Sequence, residues 1–374
     1  MRILLVSANF RPSVGGIERY VELLAEGLAQ RGHEVTVLCC KSGGAPRREL
    51  ANGVQIVRLP ATYALKKVVN VHYPIPSPVA LASELGRLVP QADVVHVHDA
   101  LYVTSAAALR RARSRGIPSV LTQHVSFTPQ SSVLLDAVQR GVIATIGRCA
   151  RQGSRVVAYN AAVAAWAEST WGLEKVDILP PGVPEPKTEG VDRTEVRREL
   201  GLTADRFLAL FVGRDVPTKQ LDLFLAATDP AYDLVAVTDR PRASAGPGRH
   251  VLPFMQPERL QRLLLAADAF VLPSKAEGFP LSLQEALLAG LPCVITRVPG
   301  FDRYLGSGEV LWIDPDPASI RHALLSLVAD DDLRASLASR GLNAGRREFG
   351  LDAFVDAYER LYLDVRGAAQ RPVG

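Results

Sequence analysis

The sequence predicts an α/β protein of two domains, each built around a parallel β-sheet, and three observations support this prediction. Its 374 residues exceed what one hydrophobic core usually serves. Short apolar, β-branched runs recur along the chain with helical patterns between them, as in parallel sheets covered by helices. From residue 183 the composition changes to VPEPKTEGVDRTEVRREL, rich in proline and charge, which is typical of a linker.

The first half contains seven predicted strands. After the first of them, apolar residues recur at helical spacing from Ile17 to Leu28, and Gly32 ends this helix. The predicted strands are residues 2–8, 34–40, 54–59, 92–99, 119–124, 155–160 and 176–180. We assign residues 1–182 to an N-terminal domain.

The second half repeats the alternation, with predicted strands at residues 207–213, 232–239, 250–255, 269–274, 292–297 and 309–314. We assign residues 183–350 to a C-terminal domain. The architecture is therefore two Rossmann-like domains facing each other across a cleft, with ligands expected at the carboxyl ends of the strands. A last helix, 351–365, carries one apolar stripe formed by Leu351, Phe354, Val355, Tyr358, Leu361 and Tyr362.

Composition and charge exclude several classes of protein. The net charge is only +4, so no nucleic-acid partner is expected. The four cysteines have no metal-ligand spacing, and no apolar run is long enough to span a membrane. We expect a cytoplasmic protein. The segment RRARSRG at 110–116 leaves open a peripheral contact with the inner face of the cell membrane, the alternative being a solvated helix end.

Two loops have features of phosphate binding. Gly15 and Gly16 directly precede the first helix, whose free N–H groups favour an anion; the alternative is that paired glycines only permit a tight turn. Arg214 and Lys219 follow the first strand of the second half, where two cations suit a diphosphate. The alternative for these two is a solvated pair beside a turn.

The segment AFVLPSKAEGFPLSLQEALLAGLPCVIT carries two carboxylates that could accept bonds from sugar or ribose hydroxyls. Glu277 lies in a loop after a strand, and Glu285 lies on the helix that follows. The alternative for Glu277 is a solvated acid. The alternative for Glu285 is a capping box in which it returns a bond to Ser282.

In these pieces the sequence resembles the retaining, nucleotide-sugar-dependent glycosyltransferases of the GT-B fold (family 4-like), in which two glutamates separated by seven residues mark the donor site. The matching pieces are GGIERYVELLAEGLAQRGHEVTVL, ADVVHVHD, LTQH, ILPPGV, VGRDVPTKQL and ADAFVLPSKAEGFPLSLQEALLAGLPCVIT. The resemblance implies transfer of a sugar from a nucleoside-diphosphate sugar to a hydroxyl acceptor, with the donor on the C-terminal domain and the acceptor on the N-terminal domain. It also implies that helix 351–365 packs back on the N-terminal domain.

The resemblance implies a role for each matching residue. Glu277 would bind hydroxyls of the transferred sugar, Glu285 the ribose hydroxyls, and Arg214 with Lys219 the diphosphate. His124 would lie beside the transferred sugar, the alternative being a satisfied loop histidine. The implied catalytic residues are Glu277, His124, Arg214 and Lys219; the implied donor-binding residues are Gly15, Gly16, Arg214, Lys219, Phe254, Met255, Glu277, Gly278, Phe279, Pro280, Leu281 and Glu285.

The acceptor is expected at loops of the first domain. Lys66, His72 and Tyr73 lie in a turn-rich stretch whose charge and aromatic rings could hold a phosphorylated, lipid-linked or sugar acceptor, the alternative being an ordinary loop with solvated lysines. Two departures from the family pattern concern the donor sugar. Gln220 replaces a common glycine, and VPGFDRYLGSGEV lacks the usual glycine-rich run ending in glutamate.

The expected mechanism is a front-face substitution without a metal or other cofactor, as the resemblance implies. The motif Asp314-Pro-Asp316 is interpreted as a helix cap by Asp316 rather than a metal site, and Asp330–Asp332 is interpreted in the same way. Two rival functions remain open at this point. One is a sugar-nucleotide epimerase or isomerase on the same fold, and the other is a non-catalytic binding homologue.

Overall fold

The computed structural model describes residues 1–13, 15–63, 73–125, 133–241, 246–275, 277 and 280–370. The chain divides into two compact units. The first unit is Met1–Pro181 together with the segment that begins at Phe354, and the second is Gly182–Ala353. The expected division lay between residues 182 and 183.

The first unit is built on an eight-stranded sheet in the order β10-β9-β8-β7-β1-β2-β4-β3. All neighbouring strands are parallel except β3, which pairs antiparallel with β4 at one edge. The strands are β1 (Arg2–Val6), β2 (Glu34–Cys40), β3 (Arg48–Ala51), β4 (Val54–Leu59), β7 (Val94–His98), β8 (Ser119–Gln123), β9 (Arg155–Ala158) and β10 (Asp177–Ile178). A separate antiparallel ladder joins β5 (Ala61–Thr62) to β6 (Ile75–Pro76).

The second unit is built on a six-stranded parallel sheet in the order β13-β12-β11-β14-β15-β16. Its strands are β11 (Phe207–Val212), β12 (Tyr232–Thr238), β13 (Arg249–Pro253), β14 (Ala269–Leu272), β15 (Cys293–Thr296) and β16 (Leu311–Ile313). The strand order reverses between β11 and β14 here, and between β1 and β7 in the first unit. At such reversals the loops after neighbouring strands diverge and leave room for a ligand.

Helices connect the strands of both sheets, so the prediction of an α/β fold with parallel sheets is confirmed. In the first unit they are α1 (Gly16–Gln30), α2 (Pro78–Leu88), α3 (Val103–Ser114), α4 (Val133–Arg151) and α5 (Ala161–Trp171). In the second unit they are α6 (Arg193–Glu199), α7 (Leu221–Ala226), α8 (Pro257–Ala266), α9 (Leu281–Leu288), α10 (Pro317–Ala329) and α11 (Asp331–Phe349). The last helix is α12 (Leu351–Gln370).

A buried chain of hydrogen bonds ties α12 into the first unit. The Tyr358 hydroxyl lies 2.6 Å from the Tyr20 hydroxyl and 2.6 Å from the Thr122 Oγ1 atom. His96 continues the chain, with Nε2 at 2.8 Å from Thr122 Oγ1 and Nδ1 at 2.7 Å from the Tyr362 hydroxyl. Each of these buried polar groups therefore has a partner, as burial requires.

The approach of α12 to α1 is close enough to require a glycine. A Cβ atom added to Gly27 would lie 2.5 Å from Val355 Cγ2, well inside van der Waals contact. Apolar side chains of α12, Phe354 and Leu361 among them, are buried with the tyrosines in this core.

Two further expectations can be compared with the structure. Asp316 accepts hydrogen bonds from the Ala318 and Ser319 N–H groups at 2.9 Å each, and Asp330 accepts one from the Leu333 N–H group at 2.8 Å. Both are therefore helix caps, as predicted. In the described part of the chain, no helix has the length and apolarity that crossing a membrane requires.

Candidate functional site

The strongest candidate site in the second unit lies where the strand order reverses. Lys219 lies in the loop after β11, and Glu277 lies in the loop after the neighbouring strand β14. Their side chains form an ion pair with 2.5 Å between Lys219 Nζ and Glu277 Oε1. The Glu277 side chain is only 9% exposed and that of Lys219 16%, so the alternative of a solvated loop acid is wrong.

Backbone contacts hold these two loops together. The Lys275 N–H group donates to the Thr218 carbonyl at 2.9 Å, which links the backbone two residues before Glu277 to the residue before Lys219. Gly213 directly follows β11, and an added Cβ atom would lie 3.1 Å from Phe211 Cζ and 3.4 Å from Lys219 Cδ. A larger residue at position 213 would therefore crowd Phe211 first and contact the lysine beside it.

The backbone conformation at Gln220 explains why glycine is common at this position in similar sequences. Its φ of 56° lies in the left-handed region that side chains disfavour, and it immediately precedes α7. The side-chain amide partly offsets this by donating to the Pro217 carbonyl at 2.8 Å. The departure at Gln220 therefore changes local backbone energy while keeping the turn that presents Lys219.

Arg214 lies directly after Gly213 with its side chain exposed. Within the described ranges it has no ion pair with a carboxylate, which leaves its planar guanidinium able to contact phosphate oxygens. Arg214 and Lys219 thus both lie in the loop after β11, but the Arg214 side chain is exposed whereas the Lys219 side chain is paired with Glu277.

Helix α9 carries the second predicted carboxylate. It begins at Leu281 after Pro280, which has no side-chain cap, so Ser282 lies inside the helix and the capping-box alternative for Glu285 is wrong. Glu285 is partly buried and has an interaction of its own. Two other predicted donor residues, Gly278 and Phe279, lie outside the described residues.

The predicted base contacts lie at the end of a strand as expected. Phe254 and Met255 directly follow β13, with the Phe254 side chain 50% exposed and the Met255 side chain buried. An exposed phenylalanine at a strand's carboxyl end offers a face on which a base could stack.

The corresponding region of the first unit holds a buried histidine cluster. His98 ends β7 and His124 follows the neighbouring strand β8, with His98 Nδ1 3.1 Å from His124 Nε2. The Tyr20 ring meets the His124 ring edge to face, with the centroids 4.6 Å apart. His124 therefore has partners within the fold, as the alternative of a satisfied loop histidine expects, and its contact with the transferred sugar stays a prediction.

Asp99 holds the backbone at His124. Its Oδ1 atom accepts a hydrogen bond from the His124 N–H group at 3.0 Å, and its own φ of 64° is left-handed. Aspartate tolerates that conformation better than most residues. The strand end and the following loop are thus tied together at the point where His124 emerges.

Burial controls the protonation of this cluster. It raises the pKa of the Asp99 carboxyl to about 7, against the opposing effect of hydrogen bonds from the backbone. It lowers the pKa of His124 to about 3 and the pKa values of His96 and His98 well below the ordinary value. The histidines are accordingly neutral at pH 7 and offer both a donor and an acceptor nitrogen.

The two glycines at the start of α1 differ in what the protein explains. Gly15 has an extended backbone, and a Cβ atom added to it would lie too close to Glu18 Oε2, so the alternative of a tight turn that glycine permits stays open there. A Cβ atom added to Gly16 meets no protein atom within 4 Å. Packing within the chain therefore does not demand glycine at position 16.

The predicted acceptor contacts are only partly described. Lys66 and His72 lie outside the described residues. Tyr73 is buried, donates its hydroxyl hydrogen to the Leu101 carbonyl at 2.8 Å and stacks on Tyr102. Its side chain therefore supports the loop after β7, and contact with an acceptor stays a prediction.

Sequence reasoning missed four members of the histidine cluster, namely Tyr20, His96, His98 and Asp99. The two residues after Val97 were visible in ADVVHVHD, and their position at a strand's carboxyl end was the available signal. Tyr20 was interpreted only as an apolar residue of a helix face. Within the described ranges, no group of three or more histidine, cysteine, aspartate or glutamate side chains is arranged to hold a metal ion.

Comparison with known proteins gives consistent results for both units. Residues 14–185 match the model of Glycosyltransferase Family 4, and residues 244–344 match that of Glycosyl transferases group 1. The D-inositol 3-phosphate glycosyltransferase of Acidothermus cellulolyticus is 31% identical, with 97% of this chain and 90% of the relative covered. The enzyme of the same name from Actinosynnema mirum is 30% identical, with 100% and 99% covered.

Solved structures share the fold. Anabaena Alr3699/HepE in complex with UDP has a TM-score of 0.73 at 15% identity, with 97% of this chain and 100% of that chain covered. Sucrose-phosphate synthase from Thermosynechococcus elongatus has a TM-score of 0.72 at 18% identity, with 98% and 100% covered.

Proposed function

The chain belongs to the family 4 type of GT-B glycosyltransferases, and from this we propose that it transfers a sugar from a nucleoside-diphosphate sugar to a hydroxyl acceptor with retention of the anomeric configuration. The observation that carries the proposal is the Lys219–Glu277 ion pair at the strand reversal of the second unit. One side chain supplies the charge that a diphosphate needs, and the other can accept bonds from sugar hydroxyls.

The ion pair also gives Lys219 a defined place before the donor arrives. With Nζ held at 2.5 Å from Glu277, the flexible ammonium has already lost much of its rotamer freedom. We propose that a diphosphate oxygen then also accepts a hydrogen bond from the Lys219 ammonium. The lone pairs of the Glu277 carboxylate that remain available accept hydrogen bonds from sugar hydroxyls. Arg214 adds a second cation, and Glu285 is proposed for the ribose hydroxyls.

The proposed reaction is a front-face substitution. The bond from the sugar's anomeric carbon to the phosphate oxygen breaks, the acceptor oxygen bonds to that carbon on the same face, and the acceptor's proton passes to the departing diphosphate. Catalysis then depends on stabilising the negative charge that grows on the leaving group. Lys219 and Arg214 are proposed for this task, and no metal is required.

Similar proteins suggest which substrates to test first. HepE is described in complexes with UDP and with UDP-glucose, which supports a uridine diphosphate sugar as donor. The names of the two relatives, both D-inositol 3-phosphate glycosyltransferases, support a phosphorylated cyclitol as the first acceptor to assay.

The binding half of the proposal is tested by thermal unfolding with UDP-, GDP- and ADP-sugars. A donor that binds only the folded chain raises Tm, and we expect one base to do so clearly. Glu277→Ala and Lys219→Met should abolish the shift. Lys275→Met, a change at an exposed neighbouring lysine, should retain it. A flat response of the wild type to the whole panel would contradict the proposal.

The chemical half is tested by NMR of the product. We expect the anomeric configuration of the donor in the product, nucleotide release only with acceptor present, and unchanged turnover in EDTA. A product of inverted configuration contradicts retention. Conversion of the donor without acceptor and without nucleotide release would instead identify a sugar-nucleotide isomerase.

A further inference from the structure

A cationic pocket lies in the first unit between α3 and α4. Its volume is 380 Å³, within the range of about 300–1,000 Å³ that is common for small-molecule sites. Its lining includes Arg110, Arg113, Arg148, Thr145 and Cys149, and no lining residue is acidic. No part of the proposed transfer reaction uses these residues.

The topology places this pocket away from the histidine cluster. Both helices end there, α3 at Ser114 before β8 begins and α4 at Arg151 before β9 begins. The amino ends of these strands are neighbours, as the 2.7 Å contact between the Ser119 and Ser154 hydroxyls shows. His124 lies at the carboxyl end of β8, so the pocket is at the opposite edge of the sheet.

The three arginines are exposed, and no carboxylate in the described part of the chain neutralises their charge. Among the described residues, none of Arg110, Arg113 and Arg148 forms an ion pair with a carboxylate. By contrast, Arg87 lies 2.9 Å from Glu84, and Arg155 is paired with Asp177.

The partial negative charges at the C-termini of α3 and α4 offset only part of the positive charge of the arginines. Each helix C-terminus carries the equivalent of about −0.5 charge, so two of them offset about one of the three positive charges. At least about two positive charges remain, since Arg111 and Arg151 also lie in the last turns of these helices. This is enough to balance the charge of about −1.5 to −2 on a phosphate monoester at pH 7.

The donors in the pocket also suit phosphate. Guanidinium groups bind phosphate oxygens in pairs of parallel hydrogen bonds. The Thr145 hydroxyl donates to the Gly141 carbonyl at 2.9 Å, so the arginines are the principal donors. The field of Arg113 and Arg110 reaches the Cys149 thiol, where it opposes the rise in pKa that burial causes.

We propose that Arg110, Arg113 and Arg148 form a binding site for the phosphate group of an anionic ligand, separate from the residues proposed for donor binding. The same chemistry would suit a soluble phosphomonoester or the headgroup of an anionic lipid. The site binds and does not take part in sugar transfer.

The first experiment measures Tm of the full chain with increasing inorganic phosphate, against chloride at the same ionic strength. We expect a saturable rise in Tm. In R110Q/R148Q the apparent phosphate affinity should fall at least tenfold, and in R110K/R148K, which keeps the charge but loses the planar fork, it should fall less. Arg115→Gln, at the end of the same helix but outside the pocket, is the matched control.

The second experiment measures sedimentation with phosphatidylglycerol vesicles, using phosphatidylcholine vesicles as the reference. Loss of vesicle binding in R110Q/R148Q without a phosphate effect on Tm identifies a lipid headgroup, whereas a phosphate effect alone identifies a soluble ligand. Any phosphate that binds at Lys219 and Arg214 would change Tm equally in the wild type and in the variants, so it does not affect the comparison between them. Identical behaviour of wild type, R110Q/R148Q and Arg115→Gln in both experiments would overturn the proposal.

Discussion

At the scale of single residues, the positions with no explanation inside the protein are the most informative about ligands. Gly16 has neither a positive φ nor a close neighbour, although helix α1 begins at this residue. Gly27, later in the same helix, is needed because Val355 lies against it. Two glycines in one helix therefore serve different purposes, and substitution can separate them.

Gly16→Ala should leave the free energy of unfolding unchanged or raise it by up to about 1 kcal/mol, because alanine favours helix and meets no atom. Its donor affinity should nevertheless fall, since the methyl group would occupy the place where the sequence leads us to expect a donor phosphate. Denaturant unfolding and donor titration measure the two effects. Gly27→Ala is the matched control and should lose stability through its clash with Val355; full donor affinity in Gly16→Ala would contradict the proposed contact.

The buried acid and histidines predict the pH dependence of stability. Because the pKa of Asp99 is raised to about 7, the folded chain binds one more proton there between about pH 4 and 7, and this contribution to stability falls as pH rises. His96, His98 and His124 have lowered pKa values, so their contribution to stability rises with pH up to about 6.5. Because three histidines act against one carboxyl group, the net effect is that the free energy of unfolding falls as the pH falls below about 6.5.

Asp99→Asn should steepen this loss. The amide keeps an acceptor for the His124 N–H group but removes the one group that opposes the histidines. The slope of unfolding free energy against pH between about 4.5 and 6 should increase by about 1.4 kcal/mol per pH unit. Urea titrations at several pH values measure it, with Asp332→Asn at an exposed helix start as control. An unchanged slope in Asp99→Asn would show that Asp99 ionises normally.

At the scale of elements, local sequence signals accounted for the thirteen predicted strands, whereas β3, β5 and β6 were not predicted. The predicted strands are all present because continuous apolar runs of that length are characteristic of buried parallel strands. The edge strand β3 was not predicted, because its residues alternate between exposed and partly buried positions without a strong apolar face. The signal was present in its turn, where Asn52 and Gly53 both have positive φ values, as a two-residue hairpin requires.

The loop after β11 shows what a family pattern can and cannot predict. Lys219 and Glu277 were expected from their motifs, but their direct ion pair depends on neighbouring strands that lie far apart in sequence. No local pattern contains such a contact. In the same way, the buried partners of His124 come from α1 and β7, and only the folded sheet brings them together.

Substitutions of Gln220 measure the free-energy cost of the left-handed backbone in this loop. A left-handed residue other than glycine costs about 1–2 kcal/mol, whereas glycine has a larger entropy cost on folding, so Gln220→Gly should change stability by less than about 1 kcal/mol. Gln220→Val should lose at least about 1 kcal/mol, because a β-branched residue fits this φ worst and the bond to Pro217 is lost. Equal stability of the two variants in denaturant unfolding would contradict the left-handed assignment.

At the scale of the whole molecule, the last helix decides whether the first unit has a complete core. Phe354, Val355, Tyr358, Leu361 and Tyr362 are buried in the first unit, and full burial of each such side chain contributes about 1.5–3 kcal/mol. Their sum is comparable with the whole stability of an ordinary domain. The apolar stripe of this helix was visible in the sequence, whereas its hydrogen bonds to Thr122 and His96 were not.

A chain that ends after Ala353 should therefore lose the cooperative unfolding of the first unit while keeping that of the second, which is continuous from Gly182. Calorimetry of the truncated chain should show the transition of the second unit alone. A chain that ends after Gln370 is the control for shortening as such. Two intact transitions in the shorter chain would show that the first unit folds without its helix.

The buried chain from Tyr20 to Tyr362 also has a consequence for biosynthesis. Since the ribosome makes the chain from its N-terminus, the first unit is the earlier to be synthesised, yet its core lacks α12 until Leu351–Gln370 has emerged. The second unit has all its residues available sooner, although its synthesis begins later. We therefore expect the usual N-to-C order of domain folding to be reversed, because residues 1–181 cannot complete their core before the second unit has been synthesised.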